Sequence, residues 1–270
     1  MNEKLNDLLD DSKEENGIIL NFPRDFQSKE EMQNFYSDYG FVCLKNFIPL
    51  DLIENIVKDL RFIFSPFATD KLNPIDSGML NLDKNDKKLL HNLHVASEKS
   101  SSIKLMPGLF RDIMREISGK NGPVFEILSG LLLGISKDDR LVYNYHQESN
   151  YMKGFSDIIN IHYPLLRTSK VQNGTMSILP GTHKFGTLEY LKSRKSKDSY
   201  TDLLPKNISE IVDDFPELHC YLEVGDVLFF HKDLIHKSNY NSSELCRPVG
   251  IQRLTQSISG DWVNRSPEEL

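Results

Sequence analysis

The sequence predicts a mainly β protein with α, a jelly roll carrying N-terminal helices packed on it. From Arg140 onward, short segments rich in Val, Ile, Tyr and Phe alternate with turn residues, which is the texture of strands. Turn signals fall at Pro180-Gly181, Gly225-Asp226 and Asn239 to Ser243. No regular helical crossovers separate these segments, so a sandwich or barrel fits them better than a parallel sheet. No repeat, low-complexity tract or linker divides the chain. One domain over residues 1–270 is expected, with a helical layer over about 25–135 and a jelly-roll core over about 140–258.

The elements follow in order. Ser28 and Glu31 have capping-box spacing, the residues up to Tyr39 suit a helix, and Gly40 can stop it before an apolar strand from Phe41 to Phe47. After Pro49, Leu52, Ile53, Ile56, Val57, Leu60 and Phe64 repeat at helical spacing and should bury one stripe. Residues from about Ser65 to Lys104 mix Asn, Asp, Ser and Lys with little period and read as a solvated, mobile segment. Helices are expected from Gly108 to Ile117 and from Val124 to Leu133, bounded by Gly119, Gly122, Pro123 and Gly134. Strands are expected at Arg140–Tyr145, Asp157–Leu165, Gly174–Leu179, His219–Val224, Asp226–His231 and Pro248–Ser257. Between them, Lys184 to Asp214 carries Lys192, Arg194, Lys195 and Lys197 before turning acidic, and reads as solvated helix and loop.

Composition limits the function. With 270 residues, 39% hydrophobic and 26% charged, the chain can bury a substantial core. A net charge of -7 offers no broad basic surface, which argues against a nucleic-acid partner. The N-terminus alternates charges with short apolar runs, unlike a secretory leader, and the apolar stretch from Ile127 to Ile135 is too short to span a bilayer. A cytoplasmic protein without membrane association is expected. Cys43, Cys220 and Cys246 are odd in number and widely spaced, as reduced thiols are. Nothing in the sequence sets an oligomeric state.

The most informative residues are His146, Glu148 and His236, with Arg247 beyond them. A His and a carboxylate two apart on a strand project to one face, and a His from a distant strand can complete a facial set of three ligands. Half of an octahedral metal is then open. Two neutral imidazoles and one carboxylate suit Fe(II). His231 and Asp233 form a second His-x-Asp pair, but His236 has the opposite strand parity, so these three do not converge. His91 and His94 share a helical face without a carboxylate partner and read as surface or packing residues.

The ordered set His146-Gln147-Glu148, Leu179-Pro180-Gly181-Thr182-His183, Gly225 to Phe230, His236-Lys237-Ser238 and Arg247 resembles the phytanoyl-CoA dioxygenase-like (PhyH) family of Fe(II)- and 2-oxoglutarate-dependent oxygenases, over roughly Phe35 to Leu254. The resemblance implies a double-stranded β-helix of cupin-like form, with His146, Glu148 and His236 as metal ligands. It also implies Fe(II), 2-oxoglutarate as cosubstrate and O2, with hydroxylation of an aliphatic C–H bond in a small molecule and release of succinate and CO2. Arg247 matches the position that binds the distal carboxylate of 2-oxoglutarate, where a guanidinium makes two charge-assisted hydrogen bonds. Ser238 could add a hydroxyl, or simply cap a turn. Asn144 shares parity with His146, and Asn160 and His162 follow on the next strand; of these Asn144 and His162 are the further cosubstrate candidates. Glu148 stands where the family usually has Asp, which preserves the charge and oxygen donor and argues against halogenation. Two other readings use the same fold: a metal- or ligand-binding jelly roll without turnover, and a cupin-type hydrolase or isomerase that would not need Arg247.

Overall fold

Two five-stranded sheets share one hydrophobic core in the computed structural model, which describes residues 13–14, 17–20, 26–140, 142–155, 157–195 and 199–256. Lys197, Ser257 and most of the N-terminal stretch considered above lie outside the described residues. The chain runs β1 (Lys13–Glu14), β2 (Gly17–Leu20), α1 (Lys29–Tyr39), β3 (Phe41–Leu44), α2 (Leu50–Phe64), α3 (Pro74–Asn85), α4 (Lys87–Ser97), α5 (Ser101–Ser118) and β4 (Phe125–Leu132). It continues through β5 (Ile158–Pro164), β6 (Met176–Ile178), β7 (Tyr190–Arg194), β8 (Thr201–Pro205), α6 (Ile208–Asp214), β9 (Leu218–Cys220), β10 (Val227–His231), β11 (His236–Ser238) and β12 (Val249–Thr255). The major sheet has the order β3-β10-β5-β12-β4, antiparallel throughout. The minor sheet has the order β1-β2-β9-β6-β11, with β2 and β9 parallel.

Several expectations hold closely. Ser28 caps α1 by accepting from the Glu31 amide at 3.1 Å, and Gly40 ends it in the left-handed region at φ 79°. α2 buries Ile53, Ile56, Leu60 and Phe64, the predicted stripe. Helices cover the outer face of the major sheet: Phe110 of α5 meets Phe229 of β10 and Tyr163 of β5, with ring centroids 5.8 and 5.7 Å apart. Because side chains alternate along a strand, their neighbours Phe230, Asn160 and His162 face the other way, toward the minor sheet.

Five expectations are corrected. The supposed mobile segment over 65–104 forms α3, α4 and the start of α5. Asp86 caps α4 by accepting from Leu89 N, and Ile75, Met79, Leu82 and Leu90 are buried, so short helices with wide polar faces hid the period. α5 begins at Ser101, because Pro107 and Gly108 sit inside the helix instead of bounding it. The segment predicted as a helix at Val124–Leu133 is β4, an edge strand paired along β12; a short apolar run carries no decisive period, and the tertiary partner decides. Residues Arg140–Tyr145 form no strand among the described residues. Their amide hydrogens go elsewhere, Asn144 N to Asp202 Oδ1 at 3.0 Å and Tyr145 N to Asn144 Oδ1 at 2.8 Å, and this side-chain competition removes the ladder. The 184–214 segment adds the β7–β8 hairpin before α6.

Candidate active site

His146 and His236 form an isolated antiparallel bridge, each donating its amide to the other's carbonyl, at 2.9 and 3.1 Å. This pairing sets two imidazoles side by side, ring centroids 4.1 Å apart. Glu148 is not on a strand as expected: it opens a 3-10 turn over Glu148–Asn150, anchored by Ser149 N donating to Lys232 O. The turn still delivers its carboxylate, and one donor atom from each of His146, Glu148 and His236 lies within 4.8 Å of the others. All three residues are buried. Gln147 points the opposite way and locks the motif: its Nε2 donates to Gly186 O and Asp233 O, and its Oε1 accepts from Leu188 N.

The donor set suits a divalent metal on structural grounds. His146 Nδ1 bonds Asn144 O at 2.7 Å and His236 Nδ1 bonds Leu234 O at 2.9 Å. A carbonyl accepts only, so Nδ1 carries the proton and Nε2 keeps its lone pair. Neither Nε2 has a hydrogen-bond partner among the described residues. Burial lowers the pKa of both rings, in His236 with help from neighbouring His146, so both are neutral imidazoles.

A cavity of 410 Å³ opens on these three side chains. Its major-sheet wall is built in rows: Phe230, Asn160, Arg253 and Leu128 lie across one register line, and His162 and Ile251 face each other on the next. Asn160 Oδ1, His162 Nε2, Arg247 Nη1 and Arg253 Nε are buried without a partner. Orphaned polar atoms at this density are unusual in a folded protein and mark a place for a polar ligand. Arg247 donates from Nε to Asn173 O at 3.0 Å, and burial brings its pKa down to about 10. Gly134, in the left-handed region at φ 53°, lets the Arg247 backbone pass where a Cβ would collide with its carbonyl. Opposite, α4 supplies His91 and His94 to the cavity wall and Glu98, its C-cap, follows them; Tyr200, ahead of β8, stacks on Tyr143 at 4.4 Å.

The sequence-predicted residues divide clearly. His146, Glu148, His236, Arg247, Ser238 and His162 all line the cavity. Asn144 does not: it is exposed, its side chain accepts from Tyr145 N, and only its carbonyl serves the site. Arg253 was missed, although its Nη2 lies 2.9 Å from Glu148 Oε1. The signal existed, since Arg253 is an even number of residues from Arg247 on the same extended stretch.

His162 makes a pH dependence testable. Burial first, and Arg247 second, hold its pKa at about 3 against an ordinary 6.5. Between those values the folded protein binds fewer protons than the unfolded chain, so stability is full above pH 6.5 and falls as pH drops toward 3. In the metal-free protein, His162→Gln should flatten unfolding free energy against pH by up to about 1.4 kcal/mol per pH unit across that window. Urea titrations at several pH values measure it; an unchanged slope sinks the assignment.

Residues 36–249 match the Phytanoyl-CoA dioxygenase (PhyH) family. The chain belongs to that family. Among PhyH relatives, peroxisomal phytanoyl-CoA dioxygenase of Mus musculus is 24% identical over 225 residues, covering 79% of this chain and 64% of that protein. The chain thus spans under two thirds of the length of that relative. The 1-deoxypentalenic acid 11-beta-hydroxylase of Streptomyces exfoliatus is 22% identical over 231 residues, covering 83% of this chain and 78% of that one. Among solved structures, EctD from S. alaskensis superposes with a TM-score of 0.60 at 15% identity, covering 92% of this chain and 85% of that one. The epimerase SnoN, solved with Fe3+, alpha ketoglutarate and nogalamycin RO, gives 0.59 at 15% identity, covering 88% and 90%. These likenesses support the fold, a jelly roll with helices packed on it. Among the described residues no helix is long and apolar enough to cross a membrane.

Proposed function

We propose that this PhyH-family protein is an Fe(II)- and 2-oxoglutarate-dependent dioxygenase, a hydroxylase of an aliphatic C–H bond in a small-molecule metabolite or biosynthetic intermediate, releasing succinate and CO2. One observation carries the reading: two unpartnered imidazole Nε2 atoms and a carboxylate converge in a cavity whose wall also holds the buried, incompletely bonded Arg247. His146, Glu148 and His236 would hold the iron on one face, leaving the other to 2-oxoglutarate and O2. Bound iron with its cosubstrate supplies the oxidising chemistry.

The chain's own residues do the rest. Arg247 receives the distal carboxylate of 2-oxoglutarate, with Ser238 on the same wall offering a hydroxyl. Neutral His162 and Asn160 present hydrogen-bonding atoms to whatever polar group lies beside the metal. Tyr143, Tyr151, Leu128 and Phe230 line the cavity beside the three candidate ligands and would exclude bulk water from the reacting C–H bond. Two relatives, named phytanoyl-CoA dioxygenase and 1-deoxypentalenic acid 11-beta-hydroxylase, act by those names on phytanoyl-CoA and 1-deoxypentalenic acid, which supports a small-molecule substrate. We further propose that residues 1–270 form a single dioxygenase domain, with the helical layer over about 25–135 and the jelly-roll core over about 140–258.

The test needs no substrate. Metal-free protein given Fe(II) and 2-oxoglutarate without oxygen should develop a saturable visible charge-transfer band, absent in His146→Ala and Arg247→Ala. A folded, iron-loaded protein with no band would reject the dioxygenase in favour of a binding module or a metal enzyme of another class.

A further inference from the structure

We propose that Arg253 is a positioning residue that keeps Glu148 a one-oxygen metal ligand; the proposal rests on the metal-site reading above. Glu148 Oε1 lies 2.9 Å from Arg253 Nη2, with side-chain exposures of 7% and 19%, so the pair is formed largely out of water. Among the described residues Arg253 has no other ion-pair partner. Its Nε is buried and unbonded. The guanidinium is therefore committed to Glu148 and to the cavity.

A carboxylate can bind a metal through one oxygen or both. Three open positions are needed for the two donor atoms of 2-oxoglutarate and for dioxygen, and a carboxylate that chelates takes one of them. Glutamate has one more methylene than aspartate and so one more torsion by which its second oxygen can swing inward. The ion pair with Arg253 draws Oε1 toward the guanidinium, and on this proposal Oε2 alone is left to bind the metal. Both ends are fixed for the purpose. The Glu148 backbone is held in its turn by Tyr151 N and Met152 N donating to Glu148 O. Arg253 sits in β12 between Asn160 and Leu128, and the register of β12 against β4 shifts directly after it. Such a bulge re-aims neighbouring side chains. Arg253 thus answers a demand that Glu148 itself creates.

Cobalt(II), whose visible absorption weakens as its coordination number rises, is the probe. It would be titrated without oxygen into the metal-free wild type, Arg253→Ala, Arg253→Lys, Glu148→Asp and the Glu148→Asp/Arg253→Ala double variant, followed by 2-oxoglutarate. Arg253→Ala should bind cobalt at least as tightly as wild type, since a neighbouring cation is gone and a second oxygen gained, with weaker absorption. Its 2-oxoglutarate affinity should fall at least about ten-fold, Arg253→Lys recovering part. The double variant should match Glu148→Asp alone, because the shorter carboxylate needs no restraint. Cobalt absorption and 2-oxoglutarate affinity within about two-fold of wild type in Arg253→Ala overturn the proposal. A cobalt-loaded wild type that ignores 2-oxoglutarate rejects the dioxygenase reading alone, and the cobalt spectra still decide Arg253. A wild type that binds no cobalt overturns both.

Discussion

Arg247→Met should leave Fe(II) binding nearly unchanged and weaken 2-oxoglutarate binding about 100-fold, the worth of two charge-assisted hydrogen bonds at about 1.5 kcal/mol each. Arg247 is 6% exposed, so water cannot replace the lost donors. Methionine fills similar volume without charge, so beyond the buried bond to Asn173 O the loss falls on recognition. Arg247→Lys should recover only part of the affinity, because a single ammonium cannot reproduce the planar fork. Anaerobic calorimetry of the iron-loaded proteins measures both constants. Affinity within about two-fold of wild type would remove Arg247 from cosubstrate binding and revive the hydrolase or isomerase reading.

Asp76→Ala should lower stability by about 3–5 kcal/mol, the usual result of stranding one member of a buried ion pair. Asp76 receives Arg167 in a two-pronged contact, Nη1 to Oδ1 at 2.8 Å and Nη2 to Oδ2 at 2.7 Å. The same Oδ1 accepts from Cys246 N at 2.8 Å, and Arg167 also donates to Cys246 O. One pair therefore ties α3 to the peptide that immediately precedes Arg247. Thermal unfolding should shift down by about 10 °C for a chain of this size, and 2-oxoglutarate affinity should fall as the Arg247 backbone loosens. A shift of about 2 °C or less would show the pair to be ornamental to stability. Replacing both partners with apolar residues should cost less than the single change, since no charge is left alone.

These two residues differ in how legible they were. Arg247 could be read because its chemistry is tied to an ordered set of motifs. Asp76 lies in a stretch that reads as solvated loop, and its partner Arg167 lies far along the chain; nothing local announces a pair that only the fold brings together. The same contrast runs through the elements. β5, β6, β9, β10, β12 and the capped α1 were legible because alternation and caps are local signals; the β7–β8 hairpin and the three-residue β11 were not. β4 was not, because its apolar run is short and β12 supplies the reason for it to be extended. The metal-ligand set was legible although its expected local geometry was wrong: Glu148 reaches the histidines from a 3-10 turn, not a strand. Arg253 stayed hidden because arginine on a strand is ordinary until Glu148 is seen beside it.

The hydrogen bonds that fix the two candidate ligand histidines come from main-chain carbonyls, Asn144 O and Leu234 O, each two residues upstream of the ring it holds. Every amino acid brings that carbonyl. Mutational drift at positions 144 and 234 can therefore change the side chains without erasing the proton acceptor that sets each tautomer. In metal sites steadied by a second carboxylate, that support can be lost in one codon change. Here the vulnerability moves to whatever shapes the backbone around His146 and His236, so harmful substitutions should gather at Gln147, Thr182 and Asp202, whose side chains brace those stretches, and spare the residues whose carbonyls do the work.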